Sequence, residues 1–323
     1  MAYINKVKLI IGERYQVAAV KSVKINTSWR ETKETCSIEV PDLEKFLGRD
    51  IKEGDKVKVE LSMSTSPYKD DFQEEFTGYI ANIKYTTPIV LECENEAYVW
   101  QRKKAITKFY GFVTLKNLLK DLFGAQVVFA DSLLDLSLQK FTIKRKTPYE
   151  VLLKLKQAYA LTAYFKGDKL YVGTEYEIEK NPDSKLYALD GDQGNIVKDN
   201  LTYKSKDNVK VRAKIISVMP DGTKIEATEG DDSGAEYVMH FRGINDEKHL
   251  RNLAKTKLGK LKKDTVEGSI ETFGLPYVKH SQYAKLKSEK YPRKNGTFFI
   301  DSVNTTFGTS GSRRQLKLGK KMS

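Results

Sequence analysis

The fold is decided by the stretch EGDKVKVELSM at positions 53–63. After a turn through Gly54, apolar residues stand at every second position from Val57 to Met63, and charged or polar residues fill the positions between them. Alternation with a period of two is typical of an antiparallel strand that buries one face and exposes the other. The stretch therefore predicts a turn followed by a half-buried strand.

The same alternation extends on both sides of this stretch. It recurs from Val7 to Ile11, from Cys36 to Val40, from Phe76 to Tyr85 and from Ile89 to Cys93. About six short strands with one solvated face favour a barrel or a sandwich. Residues 1–99 are therefore predicted to form an all-β domain.

Helical patterns follow between residues 100 and 195. Thr114 can cap a helix in which leucines recur at helical spacing as far as Gly124. A second helix opens with TPYE at 147–150, where the threonine and the glutamate form a capping box. Its buried side is predicted to carry Leu152, Leu155 and Tyr159.

A hairpin is predicted after the second helix, from two short strands joined across Gly167. Loops are predicted at 181–184 and 190–194, because both stretches are rich in turn-forming residues. Residues 100–195 are therefore predicted to form a small α+β insert between β-rich segments.

Strand alternation resumes at Val209 and continues to the C-terminus, with one helical interruption. That helix is predicted to be capped by Asn245 and to bury its leucines from Leu250 to Leu261. Further strands are predicted after a turn at 220–222, at 224–228, 266–273, 284–288, 297–306 and 314–318. Residues 196–323 are therefore predicted to form a second β domain with one inserted helix.

The net charge of +13 is unevenly distributed along the chain. From residue 200 onward there are 25 Lys and Arg against 14 Asp and Glu, which gives +11, so the first 199 residues carry only +2. A basic C-terminal third is typical of proteins that meet nucleic acid, an anionic surface or an acidic protein. Charge alone does not choose among these partners.

Hydrophobicity and cysteine content limit the class of protein. No run approaches the ~18 apolar residues of a membrane helix, and no apolar signal segment follows Met1. Cys36 and Cys93 are the only cysteines, and both lie on apolar strand faces. Without an export signal, we expect two buried thiols rather than a disulfide.

Catalytic and metal-binding motifs are absent from the sequence. The three histidines, His240, His249 and His280, are not spaced as metal ligands, and no phosphate-binding loop or nucleophile motif occurs. The carboxylate pairs Asp231-Asp232 and Glu74-Glu75 are expected to be solvated charges in polar loops. We therefore predict no catalytic, cofactor-binding or metal-binding residues and no cofactor.

Two basic stretches are candidates for nucleic-acid contact. The run from Lys255 to Lys263 falls mostly on the outer side of the predicted helix, where solvated charge is normal. The stretch from Tyr277 to Lys294 mixes three tyrosines with basic residues, as stacking platforms for nucleic acid do. We expect no sequence-specific nucleic-acid recognition.

The arrangement of the segments resembles one protein family. FTGYI at 76–80, the strand at 89–94 and the turn NEAY at 95–98 are similar to a recurring stretch in hub proteins of contractile tails. The capped helix and hairpin at 147–172 resemble the insert that follows it, and 296–308 with 314–318 resemble the final hairpin. This family includes phage late-control D proteins, baseplate hubs and the N-terminal part of type VI secretion spike proteins.

The resemblance implies a fold that is mainly β with an α+β insert, in which two tail-tube-like antiparallel β-barrels flank a small α+β domain. It implies a homotrimer whose six barrels form a pseudo-sixfold ring between a tail tube protein and a spike. The ring would lie in the tail baseplate of a virion or phage-like particle, which is assembled in the bacterial cytoplasm. The chain ends just after the second barrel, so we expect the spike to be a separate protein. Tape-measure and baseplate wedge proteins are further expected partners. We expect the positive charge on outer or subunit-facing surfaces.

Two other functions stay open on the sequence alone. One is a basic β-rich binding module for nucleic acid or an anionic cell-wall polymer. The other is a cell-wall hydrolase, which would need a pair of carboxylates in a cleft.

Overall fold

The computed structural model describes residues 3–12, 15–41, 51–66, 71–131, 133, 135–159, 161–173, 183–191, 194–219, 221–242, 244–262 and 265–322. The described residues of the N-terminal segment form strands, as their alternation predicts. Its strands are β1 (Ile4–Ile11), β2 (Tyr15–Val17), β3 (Ser22–Ser28), β4 (Thr35–Val40), β5 (Lys56–Ser64), β6 (Gln73–Lys84) and β7 (Ile89–Glu94).

The middle segment mixes helices and strands. Its elements are α1 (Ala97–Arg102), β8 (Ile106–Thr114), α2 (Leu115–Phe123), β9 (Val127–Phe129), β10 (Ser137–Lys146), α3 (Pro148–Tyr159), β11 (Thr162–Lys166) and β12 (Lys169–Gly173). The strands β11 and β12 form the predicted hairpin, and β9 adds to it in parallel. The strands β8 and β10 pair only with each other among the described residues.

The described residues of the C-terminal segment form strands around one α-helix. Its elements are β13 (Ser184–Ala188), β14 (Ile196–Lys204), β15 (Val211–Val218), β16 (Lys224–Gly230), β17 (Ala235–Arg242), α4 (Glu247–Leu261), β18 (Thr265–Phe273), β19 (Tyr283–Lys287), β20 (Gly296–Gly308) and β21 (Gly311–Lys321). No described helix has the length and apolar character that a membrane span requires. The fold is therefore mainly β with a small α+β insert, as predicted.

One sheet of 13 strands joins the two ends of the chain. Its order is β14-β18-β21-β20-β3-β4-β7-β6-β5-β1-β2, and β19 attaches β13 to β20. The long strand β20 makes the connection, because its first residues pair with β19 while Ser302 to Phe307 pair with β3. Apolar side chains of β1 and β3–β7 fill the core beneath this sheet. Cys36 and Cys93 face each other across β4 and β7 in that core as buried free thiols, as expected.

The chain divides into two compact units, residues 1–200 with 269–323, and residues 201–268. In the smaller unit β15 lies between β16 and β17, and α4 packs on this sheet through Leu250 and Ala254. The sequence did not anticipate a separate sheet here, because alternation shows that a strand is half buried but not which sheet it joins. The domain boundaries expected from the sequence, with domains at 1–99, 100–195 and 196–323, remain a prediction.

Local predictions in the insert are largely confirmed. Thr114 caps α2, and Gly124 ends it with a left-handed φ of 73°. Thr147 and Glu150 bond reciprocally, since Glu150 N donates to Thr147 Oγ1 at 3.3 Å and Thr147 N donates to Glu150 Oε2 at 2.9 Å. This is the predicted capping box, and it sets the start of α3.

Three local predictions are wrong. The cap of α4 is Asp246 rather than Asn245, because the Asp246 carboxylate accepts the Lys248 N–H at 2.9 Å. Tyr159 is 38% exposed, since it ends α3 instead of lining its buried side. Ser184 begins β13 instead of lying in a loop. Residues 181–182 of that predicted loop, positions 192–193 of the second loop and Pro220 of the predicted turn lie outside the described residues.

Candidate assembly surfaces

A buried ion pair ties the last strand to the first domain. Arg314 of β21 forms two hydrogen bonds with the Glu75 carboxylate of β6, one of them from Nη1 to Oε2 at 2.9 Å. Its Nε donates to the Gly274 carbonyl at 2.8 Å, and Nη1 also donates to Thr305 Oγ1 at 3.1 Å. Each nitrogen of the guanidinium therefore donates at least one hydrogen bond, as a buried charge requires.

Tyr277 lies over this ion pair. Its ring centroid is 5.0 Å from the Arg314 guanidinium, and its hydroxyl donates to the Glu74 carbonyl at 2.5 Å. Burial and the nearby glutamates raise the pKa of this phenol well above its ordinary value. The loop after β18 is therefore fixed against β6 by a neutral, hydrogen-bonded tyrosine.

An aromatic cluster connects the insert to the sheet. Trp29, Tyr164 and Phe299 pack together, and the Trp29 indole donates to Asp301 Oδ1 at 3.0 Å. Lys156 of α3 supports the same junction by donating to three neutral acceptors, Thr32 Oγ1 at 2.8 Å and the carbonyls of residues 30 and 163. Because Lys156 is buried beside these groups, its pKa is lowered. The insert is thus fastened to the sheet by both packing and hydrogen bonds.

A cavity of about 200 Å³ lies beside these contacts. Its wall carries both signs of charge, including Glu34, Glu75, Lys279 and Arg314, and also His280. His280 Nε2 is 2.8 Å from the Glu34 carboxylate, and Nδ1 is 3.0 Å from Ser281 Oγ. The charged groups are therefore largely engaged with one another, and among the described residues no group of three or more His, Cys, Asp or Glu is arranged to hold a metal ion.

The three histidines belong to different compact units of the chain. His280 borders the cavity of the larger unit, whereas His240 lies on β17 and His249 in the first turns of α4, both in the smaller unit. Both His240 and His249 are exposed.

The expectation for one carboxylate pair is wrong. Glu74 and Glu75 lie in strand β6, not in a polar loop, and Glu75 is buried against Arg314. Asp231 and Asp232 do lie at a turn, where Asp231 pairs with Lys262 at 2.6 Å and Asp232 is fully exposed. The sequence could not reveal the partner of Glu75, because it lies 239 residues away.

The aromatic and basic stretch at 277–294 does not form one platform. Tyr277 is committed to the Glu74 carbonyl, Tyr283 packs in the aromatic cluster, and Tyr291 is 57% exposed on a separate loop. The lysines Lys285, Lys287 and Lys290 are exposed. On α4, Lys255 is exposed and Lys262 is paired with Asp231, whereas the Lys260 side chain and Lys263 lie outside what the structure describes.

Sequence reasoning missed the two-stranded ribbon formed by β8 and β10. Its strands pair in antiparallel register with a bulge near the end, and Phe109 and Phe112 are each 64% exposed. The signal was weak because FYGFV at 109–113 is apolar throughout and shows no alternation. The ribbon is the strongest exposed apolar feature of the insert.

Solved structures show where this architecture occurs. The chain is similar to a tail protein from Neisseria meningitidis MC58 (TM-score 0.64, 15% identity, 98% of this chain and 96% of that chain) and to the 43 kDa tail protein of prophage MuSo2 from Shewanella oneidensis (TM-score 0.64, 14% identity, 98% of each chain). It is also similar to the E. coli c3393 protein, a type VI secretion component related in structure to the T4 tail proteins gp27 and gp5 (TM-score 0.58, 9% identity, 98% of this chain and 79% of that chain).

By sequence, no family model and no curated protein matches the chain. At 9–15% identity the structural likeness concerns the fold, and it extends over nearly the whole chain in each of these comparisons. The chain has the fold of these phage tail and type VI secretion proteins, which fits the predicted resemblance to the contractile-tail baseplate hub family.

Proposed function

We propose that this chain is a structural subunit of a phage tail or phage-like contractile injection machine, and that it has no enzymatic activity. Three copies form a ring with pseudo-sixfold symmetry that joins the tail tube to a separate spike protein. The likeness to tail proteins over both full chain lengths carries this proposal, together with the sheet that links the first and last strands.

The contacts of the larger unit suit such a subunit. A ring that transmits load between a tube and a spike needs a wall that does not open. In this chain, strand pairing joins β20 to β3, and a buried ion pair joins β21 to β6. In the cavity wall Glu34 bonds to His280 and Glu75 to Arg314, which favours a structural role for these charged groups over binding or catalysis.

Light scattering on the purified protein tests the ring. Three chains of 36.8 kDa give a particle of about 110 kDa, and electron micrographs of it should show rings with six similar lobes. The trimer should persist at raised salt and should recruit the tube and spike proteins encoded beside it. A monomer at all concentrations contradicts the ring.

The alternative, a basic binding module, is tested with the same sample. A monomer that retains DNA at low salt and releases it as salt rises would support that function, because phosphate contacts are strongly salt-dependent. A trimer that does not retain DNA supports the hub. The separation of the three tyrosines disfavours the binding module.

A further inference from the structure

The β8–β10 ribbon carries an unusual combination of exposed groups. Phe109 lies opposite Thr142 and Phe112 opposite Gln139, so neither ring is covered by the neighbouring strand. Gly111 stands between them, and a side chain there would meet nothing within 4 Å. Single exposed apolar residues are ordinary on a protein surface, but two aromatic rings within four residues mark a contact site.

The other side of the ribbon explains how it is held. Tyr110 donates to the Asp121 carboxylate of α2, and Leu138 and Ile143 are buried in the core of the insert. The ribbon therefore presents its two phenylalanines from a fixed support. A rigid aromatic anchor loses little conformational entropy on binding.

The charge of the ribbon is of one sign. Strands β8 and β10 contain five basic residues and no acidic one. Lys108 is paired with Asp121 and Lys146 with Glu150, whereas Lys140, Lys144 and Arg145 make no ion pair within the described part of the chain. An occupant of this surface should therefore be apolar at the centre and acidic around it.

Two segments of the chain are acidic, residues 1–99 and residues 174–200, but four of the seven acidic residues of the second segment lie outside the described part of the chain. The N-terminal domain is therefore the acidic surface that the structure describes, and charge favours it as the occupant. Residues 1–99 contain 14 basic and 17 acidic residues, a net charge of −3, whereas residues 100–173 contain 14 basic and 5 acidic residues, a net charge of +9. Glu31, Glu53 and Asp71 of the first domain are exposed and make no ion pair with described residues. The C-terminal 55 residues, with 11 basic and 3 acidic, would repel the ribbon instead.

We propose that the ribbon docks on residues 1–99 of a second copy of this chain, through Phe109, Phe112 and the three unpaired basic side chains. Two ribbons cannot face each other, because their charges repel. The contact is therefore heterologous, with different surfaces on the two copies, and such contacts close into rings when the rotation permits. This inference rests on the proposed trimer and assigns one of its interfaces.

Paired substitutions test the contact. Phe109→Ser with Phe112→Ser removes both anchors from an already exposed surface, so the monomer should fold, as checked by circular dichroism. We expect the trimer dissociation constant to rise more than about tenfold, as for loss of central aromatic anchors. Lys144→Glu with Arg145→Glu should act in the same direction. Tyr291→Ser, which removes an aromatic ring of similar exposure elsewhere, is the matched control and should leave the trimer intact.

Cross-linking identifies the partner surface. The photoreactive residue p-benzoylphenylalanine in place of Phe112 should cross-link to residues 1–99, and in mixed trimers of isotopically light and heavy chains the products should join different copies. Cross-links within one copy, or to residues 100–323, overturn the proposal. If the wild-type chain is a trimer and the ribbon variant also stays trimeric, the proposed docking is wrong but the ring is not contradicted. A wild-type chain that stays monomeric contradicts the ring and the docking together.

Discussion

At the residue scale, the most demanding feature is the ion pair of Arg314 and Glu75. Their side chains are 3% and 5% exposed, so neither charge is solvated by water to any useful extent. A buried pair of this kind contributes little compared with an apolar pair of the same size, but removing one partner leaves the other charge uncompensated. Breaking the pair should therefore cost more than the pair contributes by forming.

Glu75→Gln should therefore destabilise the protein strongly. We expect the free energy of unfolding to fall by about 3–5 kcal/mol, measured by urea denaturation. The double variant Glu75→Leu with Arg314→Met should lose less than Glu75→Gln, since it leaves no buried charge. Lys84→Met, in the exposed pair of Lys84 with Glu92, is the control and should cost less than about 1 kcal/mol. Equal losses in the control and in Glu75→Gln would show that burial of the Arg314 charge carries no penalty.

Gly78 marks a second constraint at this scale, where β6 approaches β7. A Cβ at this position would overlap the backbone carbonyl of Glu94, which cannot move without breaking the strand pair. Gly78→Ala should lower the free energy of unfolding by about 1–3 kcal/mol. Gly111→Ala is the matched control, because a Cβ at that position meets open space. A harmless Gly78→Ala in thermal denaturation would show that the strands are not so closely packed.

The two thiols should be chemically silent in the native protein. Burial raises the pKa of Cys93 to about 12 and that of Cys36 well above its ordinary value, so almost no thiolate forms at pH 8. Ellman's reagent should label neither cysteine at pH 8 in buffer and both in urea. Rapid labelling of one thiol in buffer would show that the core between β4 and β7 opens.

At the element scale, the capping box of α3 is a local device with a measurable contribution. Thr147 Oγ1 accepts the Glu150 N–H, which would otherwise have no partner at the start of the helix. Thr147→Ala should lower the free energy of unfolding by about 1 kcal/mol, and Thr147→Asp should restore most of it. Thr142→Ala, an exposed threonine in β10 outside any cap, should change stability by less than about 0.5 kcal/mol. If the two alanine variants behave alike in urea, the cap does not stabilise α3.

Elements were predictable wherever the signal is local. Periodicity and turn chemistry within a few residues predict the strands β1, β4, β5 and β7, the caps of α2 and α3, and the hairpin at Gly167. The ribbon was missed because FYGFV at 109–113 lacks alternation, and Lys140 and Arg145 adopt left-handed φ values of 51° and 47° that no sequence pattern marks.

Pairings between distant elements could not be predicted from residues alone. Alternation from Val211 to Val218 is the same whether the strand joins the large sheet or the separate sheet of residues 201–268. For the same reason the sequence could not show whether the aromatic and basic residues at 277–294 lie on one surface. Although they are close in sequence, Tyr277, Tyr283 and Tyr291 lie in different surroundings. The family resemblance supplied the overall fold, which physical reading of single segments did not reach.

At the scale of the whole molecule, the C-terminal strands complete the structure begun by the N-terminal ones. The strand β20 lies between β21 and β3, so the last hairpin covers an edge that β3 would otherwise expose. Exposed edges of β-sheets pair with other chains and aggregate. The larger unit therefore cannot be complete until residues 269–323 have been added.

A chain that ends at Gly308 tests this dependence. It lacks β21 and with it the buried side chains of Leu316 and Leu318, and it leaves Glu75 without Arg314. We expect such a chain to be recovered mainly in the insoluble fraction, with weak near-ultraviolet circular dichroism in any soluble portion, because core and ion pair are lost together. A chain that ends at Lys321 keeps all of β21 and should remain soluble with an almost unchanged melting temperature. If the shorter chain melted at the wild-type temperature, the first domain would fold independently of β21. The hairpin of β20 and β21 would then not be required to complete the larger unit.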